Sequence, residues 1–463
     1  MNPRLVLLAT LALGACDPGG DGDAATGDSA DDGADGSPAT ADDRFWLPTA
    51  EPDNTAAPSV EVDASGAMHA VYPAYAGGRA YYAYCGESCE GTDDVAVVRF
   101  DTENTVEHAM LALDDRGRPR VLLSTAFDVI YASCDDDCEQ PASWSQTVIV
   151  RHDGDQDVTG EGFALDPQGR PRALIHTTVA YLGIGQKPPA TDWLACDDDC
   201  HDPAQWRRSR LVDQIWQSSQ LRFDARGVAH LATVAHVLPQ AQGESTQDVG
   251  AYLRCDDGCD DGDNWHGSSL AKAFSSTLDA VTIDPAIALG LTSTGAPRVL
   301  LLAADDEDGH RNVTYMACDD GCESVESWHG VILAEGDGVG AGLDLVIDGA
   351  DHPRFVYTHD YSIGLARCDE QHCETAEAEW TVDKVEAGGD MDPDQIFLWE
   401  NCDVGAWFLH SPSLALTSGG AAFVGYQARD ISGGWDNPDP DHLHDCEAGT
   451  DMTWSRVTRM PAR

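Results

Sequence analysis

The sequence predicts an all-β fold, a seven-bladed β-propeller with four short strands per blade, stapled by disulfides. Three observations predict it. A cysteine hairpin leading to a tryptophan recurs, as in Cys134-Asp135-Asp136-Asp137-Cys138 followed by Trp144. A second signature alternates with it, an apolar strand running into Asp-x-x-Gly-x-Pro-Arg or a variant, then a second strand. No segment sustains a helical period, and the apolar runs are short, rich in Val, Leu, Ile and Tyr, and broken by Gly, Pro and Asp. Units of this length cannot bury a face alone and must stack, as propeller blades do. A solenoid of sheets is the alternative, but it wants shorter, more regular units and distinct caps.

The chain opens with one positive charge at Arg4, an apolar run from Leu5 to Leu13, and small residues before Cys16. This is a secretory signal over residues 1–15, too short to span a bilayer as a mature helix. Leu13-Gly14-Ala15-Cys16 resembles the bacterial lipobox, which implies cleavage before Cys16 and a lipid on that cysteine. An ordinary secretory signal with a chance cysteine is the alternative. Residues 16–44 are mostly Asp, Gly, Ala, Ser and Thr and cannot bury a core, so they read as a disordered acidic tether. The propeller is expected over 45–463.

The chain has 15 cysteines. Setting Cys16 aside leaves an even number, which fits an oxidising compartment. The local pairs are Cys85–Cys89, Cys134–Cys138, Cys196–Cys200, Cys255–Cys259, Cys318–Cys322 and Cys368–Cys373, and Cys402–Cys446 follows by elimination. Zinc is the competing reading, but no second Cys or His pair lies near each hairpin in sequence. In the loop-entropy picture a local pair stabilises by about 2 kcal/mol and the Cys402–Cys446 loop by about 4.

The turn signature has copies at Asp63–His69, Asp114–Arg120, Asp166–Arg172, Asp224–His230, Thr292–Arg298, Asp348–Arg354 and Thr417–Phe423. That count sets seven blades, with six or eight as its margin. The last unit reads as complete, with strands at Ser413–Leu416, Ala421–Gln427, His442–Asp445 and Trp454–Met460. The chain is therefore expected to be cut between strands D and A, with no blade shared between the termini.

The Tyr-x-x-Cys-x3-Cys-x5-Trp hairpin resembles the strand C to D turn of sialidase-like, Asp-box-type propellers, with a disulfide where the Asp box would stand. The resemblance covers most of residues 59–460 and implies architecture only. Sialidase chemistry needs an arginine triad, a Tyr–Glu pair and an aspartate acid. Here Arg120, Arg172, Arg298 and Arg354 recur at one turn position, which argues for a role in the blade, and no catalytic residue is carried over.

Propeller geometry puts the A–B and C–D turns on one face and the irregular B–C and D–A loops on the other. Function concentrates in loops on a rigid scaffold, so the second face is the candidate binding face. Trp216, Trp399, Trp407, Phe408 and Trp435 are its candidate aromatic contacts, against the alternative that they plug gaps between blades. His108 and His410 hold equivalent positions at the mouth of strand A and are candidates to face the channel. His442 and His444 could be half of a metal site or a solvated loop. Asp305, Asp306 and Asp308 are candidate calcium ligands, as are the acidic hairpin loops on the opposite face; no cofactor is otherwise predicted and calcium is left open.

The net charge is −54, and Lys187, Lys272 and Lys384 are the only lysines. Such a field excludes nucleic acid and anionic membrane surfaces as partners. It also suits a salt-rich habitat. The reading is a lipid-anchored cell-envelope protein, at the outer membrane, the cell surface or the periplasmic face. It touches the membrane through its anchor only and recognises a glycan, surface polymer or protein through the loop face. The alternatives are a glycan-acting hydrolase or lyase on the same scaffold, marked by carboxylates with Arg, His or Tyr at the channel mouth, and a structural surface protein without a ligand.

Overall fold

The structure is a computed structural model. It describes residues 43–50, 53–74, 77–125, 127–152, 156–179, 189–237, 247–273, 286–304, 311–336, 339–391, 407–430 and 453–462. The strands form seven four-stranded antiparallel sheets. Their inner strands are Ser59–Val62, Val106–Leu113, Gln156–Leu165, Trp216–Phe223, Ile287–Leu291, Val339–Ile347 and Trp407–Leu416. These pack against one another in that order, the last against the first, so the blades close into a ring around a central channel. The expected seven-bladed propeller is the fold.

Ring closure differs from the expectation. Thr453–Met460 is the third strand of the last blade, and its outer neighbour is Arg44–Trp46 from the other end of the chain, with Arg44 opposite Thr458 and Trp46 opposite Arg456. The last blade is thus shared between the two ends. The expected strand His442–Asp445 and the Cys402–Cys446 pair lie outside the described residues. Apolar burial explains the shared blade. Phe45 and Leu47 are buried, and Trp46 packs on Trp407 and Trp454 with ring centroids at 6.3 and 5.9 Å. An interrupted edge would leave that surface in water.

The closure also carries a buried ion pair. Arg456 of the last blade grips Glu386 of the sixth through two bonds of 2.6 and 2.9 Å. The Tyr426 hydroxyl donates to the same carboxylate, and Arg44 lies 3.7 Å from it. Burial, with the Glu386 charge adding to it, pushes the Tyr426 phenol well above its ordinary range. The Arg456 guanidinium also lies over the Trp46 ring, 4.4 Å from its centroid.

The turn signature now has a physical account. The Asp114 Oδ1 accepts the amides of Arg116 and Arg118 at 2.9 and 3.0 Å, and Asp63, Asp166, Asp224 and Asp348 repeat the arrangement. The glycine that follows is left-handed, with φ from 74° to 89° at Gly117 and Gly66. In the sixth blade Asp351 holds that strained position at φ 66°, and its carboxylate binds Ser293 of the neighbouring blade.

The recurring arginines tie this turn to the cysteine hairpin. Arg172 donates to the Cys196 carbonyl at 2.6 Å, to Asp197 at 2.7 Å and to Asp166 at 2.9 Å. Arg120, Arg298 and Arg354 make the same reach to Cys134, Cys318 and Cys368. His69 and His230 replace arginine in two blades and bond Tyr82 and Tyr252 instead, each at 2.7 Å. Six disulfides close the hairpins, from Cys85–Cys89 to Cys368–Cys373.

Each hairpin tryptophan joins two blades. The Trp206 Nε1 donates back to the Cys200 carbonyl at 2.8 Å, and its ring meets Tyr131 of the preceding blade at 5.4 Å. Trp144 on Tyr82, Trp265 on Trp193, Trp328 on Tyr252 and Trp380 on Tyr315 continue the series. The aromatic partner always stands three residues before a first cysteine. Leu365 takes that place in the sixth blade, whose next neighbour has no hairpin tryptophan among the described residues. Six disulfides belong to a protein that matures in an oxidising compartment, extracellular or periplasmic. No helix among the described residues is long and apolar enough to cross a membrane.

Candidate functional site

All seven inner strands line one cavity of about 520 Å3 along the channel, within the size range of small-molecule and saccharide sites. The inner strands are not regular along it. Pairing with strand B shifts between Val106 and His108, Gly160 and Gly162, Gln217 and Gln220, Val339 and Leu343, and His410 and Ser413. These are bulges at one level, toward the B–C and D–A end. Bulges re-aim side chains at barrel rims. Here they carry Glu107, Glu161, Ser218 and Ser411, all lining the cavity; Ser218 and Ser411 have φ of 51° and 49°.

Two of these carboxylates sit in opposed electrostatic settings. The Glu161 side chain is 5% exposed, with Oε1 3.1 Å from Nδ1 of His176, off the line of a hydrogen bond. Burial pushes Glu161 up, but His176, His108 and the Ser218 amide outweigh it and hold it below its ordinary value. Glu107, more exposed, is raised by partial burial and by Asp157, with His108 and His176 opposing.

A second polar group lies further along the channel. Asp344 accepts from the amides of Leu345 and Leu414 at 2.8 and 2.9 Å and from Gln220 Nε2 at 3.3 Å. The Gln220 Oε1 accepts the Leu289 amide at 3.0 Å, so these two side chains cross-link the fourth to seventh blades. Burial raises Asp344, against the pull of Arg222. Burial pushes Glu61 up to about 7; Arg222 pulls it down and Asp344 pushes it further up.

The expected site residues divide. His108 lines the cavity at the bulge level. His410 is 4% exposed, its ring stacked on that of Phe408 at 5.0 Å, and is not among the residues that line the cavity. Phe408 is half-buried between His410 and Tyr361. Trp216 and Trp407 are corrected to core positions, 5% and 3% exposed, because each opens an inner strand and packs between blades rather than facing solvent. Trp399, Trp435, Asp305, Asp306, Asp308, His442, His444 and Cys16 lie outside the described residues. On the opposite face, Asp135, Asp197, Asp319 and Asp369 are engaged by the blade arginines. No group of three or more metal-ligating side chains assembles among the described residues.

Sequence reasoning missed Glu61, Glu107, Glu161, His176, Gln220, Arg222 and Asp344. A signal existed for two of them. Two residues before each turn Asp or Thr stand Ala112, Ala164, Gly290, Val346 and Ala415, small or aliphatic where inner strands converge; Glu61 and Arg222 break that series. The bulges that turn Glu107 and Glu161 inward have no such signature.

No protein-family model matches the chain, and no curated protein matches it. Similar solved structures include an α-L-arabinofuranosidase of Fusarium graminearum complexed with arabinobiose, at TM-score 0.47 and 8% identity over 75% of this chain and 98% of that one. The polysaccharide lyase Uly1 matches at TM-score 0.47 and 8% identity over 90% and 92%. A Hadza microbial sialidase matches at TM-score 0.43 and 14% identity over 72% of this chain and 66% of its own length. At such identities the likeness is one of fold, and no residue role is transferred from it.

Proposed function

We propose that the protein is exported, anchored through a lipid on Cys16, and recognises a hydroxyl-rich ligand of the glycan class at the B–C and D–A end of its channel. One observation carries this reading. Successive bulges of the inner strands turn Glu107, His108, Glu161, Ser218 and Ser411 to a single cavity. Carboxylate, imidazole and hydroxyl groups are the donors and acceptors that sugar hydroxyls require, held on a rigid ring. The aromatic loop face expected from sequence is not the support, since Trp216 and Trp407 are buried.

A second reading, cleavage of that glycan, is favoured by one feature. The environments of Glu107 and Glu161 push their titrations apart, upward and downward respectively. Such pairs divide into a proton donor and an ionised partner.

The test is a glycan array probed with residues 17–463, which retain every strand of the ring. A hit lost in Glu161→Gln supports recognition in the channel, and a hit that survives both Glu161→Gln and Glu107→Gln overturns it. Release of new reducing or unsaturated ends from a bound glycan, abolished by Glu107→Gln, selects the cleavage reading.

A further inference from the structure

We infer that the channel selects a glycan bearing protonated amines, an amino-sugar oligosaccharide, over neutral and acidic glycans. The inference rests on the recognition reading above and names the ligand class of that same site. Four carboxylates, those of Glu61, Glu107, Glu161 and Asp344, line the cavity, and Arg222 is the one lysine or arginine among its described lining residues. Arg222 acts on Glu61 and Asp344 across a distance, outweighed by their burial, and clasps none of the four. It donates to the Leu221 carbonyl at 3.2 Å and forms no ion pair among the described residues. Glu61 has no hydrogen-bond or ion-pair partner among them either. The Glu161 Oε1 is buried and meets His176 only off-line.

The cavity is therefore rich in acceptors and short of positive charge. A protonated amine supplies what is missing, one charge and three donors at a point. A uronate or sulfated sugar would bring another anion into a cavity that already holds four carboxylates, and into the field of a chain of net charge −54. The hydroxyls of the same sugar find Ser59, Ser218 and Ser411 along the wall. A linear polyamine shares the amine chemistry without the ring hydroxyls.

Titration calorimetry of residues 17–463 at moderate and high salt tests this with four probes. These are the tetramer of glucosamine, the tetramer of N-acetylglucosamine, tetragalacturonate and spermine. The expected result is one site per chain, with glucosamine tetramer bound about tenfold tighter than its acetylated form and tetragalacturonate not bound. Glu161→Gln and Glu107→Gln should each weaken the glucosamine arm by about threefold to tenfold more than they weaken the acetylated arm. Asp136→Asn, on the far face, should change neither.

Equal or tighter binding of the acetylated or acidic tetramer overturns the inference and leaves channel recognition standing. Multiple weak sites that ignore both glutamate variants also overturn it, as general attraction to an acidic protein. Spermine binding the site as tightly as glucosamine tetramer overturns the sugar half. Binding of none of the three saccharides sinks the recognition reading as well.

Discussion

Glu61 offers the most direct view of the channel's charge. In the unfolded chain its carboxyl titrates near 4.5; in the fold, burial pushes it up to about 7. Between those values the folded protein holds a proton that the unfolded chain has lost, so stability falls as pH rises through that window. At about 1.4 kcal/mol per tenfold in proton affinity the full cost is about 3 kcal/mol. Water in the channel screens part of it, which leaves about 1–3 kcal/mol. Glu61→Gln removes the charge and keeps the shape. It should be near neutral at pH 4.5, where the native carboxyl is already protonated, and should stabilise by that amount at pH 8. Urea unfolding with the disulfides intact reads this as a rise in midpoint of up to about 1 M at pH 8, for a slope of about 3 kcal/mol/M. An equal effect at both pH values, or a loss of stability at pH 8, would refute the account of Glu61 as a channel carboxyl whose burial outweighs the pull of Arg222.

Other consequences concern the ring. Arg456→Met leaves Glu386 buried without its two-bond partner and should cost about 3–5 kcal/mol, seen as a large drop in melting temperature; a drop no larger than that of an exposed arginine would deny the closure its ion pair. Trp206→Ala empties a blade junction and should cost about 3–5 kcal/mol by urea unfolding, whereas Trp206→Phe keeps the ring contact and loses chiefly the bond to the Cys200 carbonyl, about 1–2 kcal/mol. Amide bonds and arginines outweigh burial to hold the turn carboxylates Asp114 and Asp224 below their ordinary 3.8. Their stabilisation is complete above that value and lost as pH falls through the lower folded one, so acid unfolding should steepen below about pH 4 and flatten in Asp114→Asn. Replacing Cys402 and Cys446 together by serine should lower the melting temperature more than removing any single hairpin pair; an equal or smaller effect would contradict their pairing.

How far the sequence reaches is plain from particular residues. Asp114, Gly117 and Arg120, with Cys134, Cys138 and Trp144, announce a blade because each acts within a few residues of chain or across one hairpin. A carboxylate needs amides two and four residues on, a left-handed turn needs glycine, and a disulfide needs a short loop. Repetition multiplies that local signal, and so the sequence by itself determined the strand count per blade, seven blades, the six hairpin staples and the structural role of the arginines. What it left open depends on groups far apart in the chain. Arg44 reaches Val385 and pairs with Thr458, and Glu386 meets Arg456 and Tyr426, only once the ring is closed. Trp216 and Trp407 read as loop aromatics and became core because the start of an inner strand faces its neighbours. Glu61, Arg222 and Asp344 stand on three different blades, and bulges that no local pattern encodes turned Glu107 and Glu161 to the axis. The channel's chemistry was decided by tertiary structure because a propeller axis collects one short strand from every repeat, and the charge of the site is the sum over all of them.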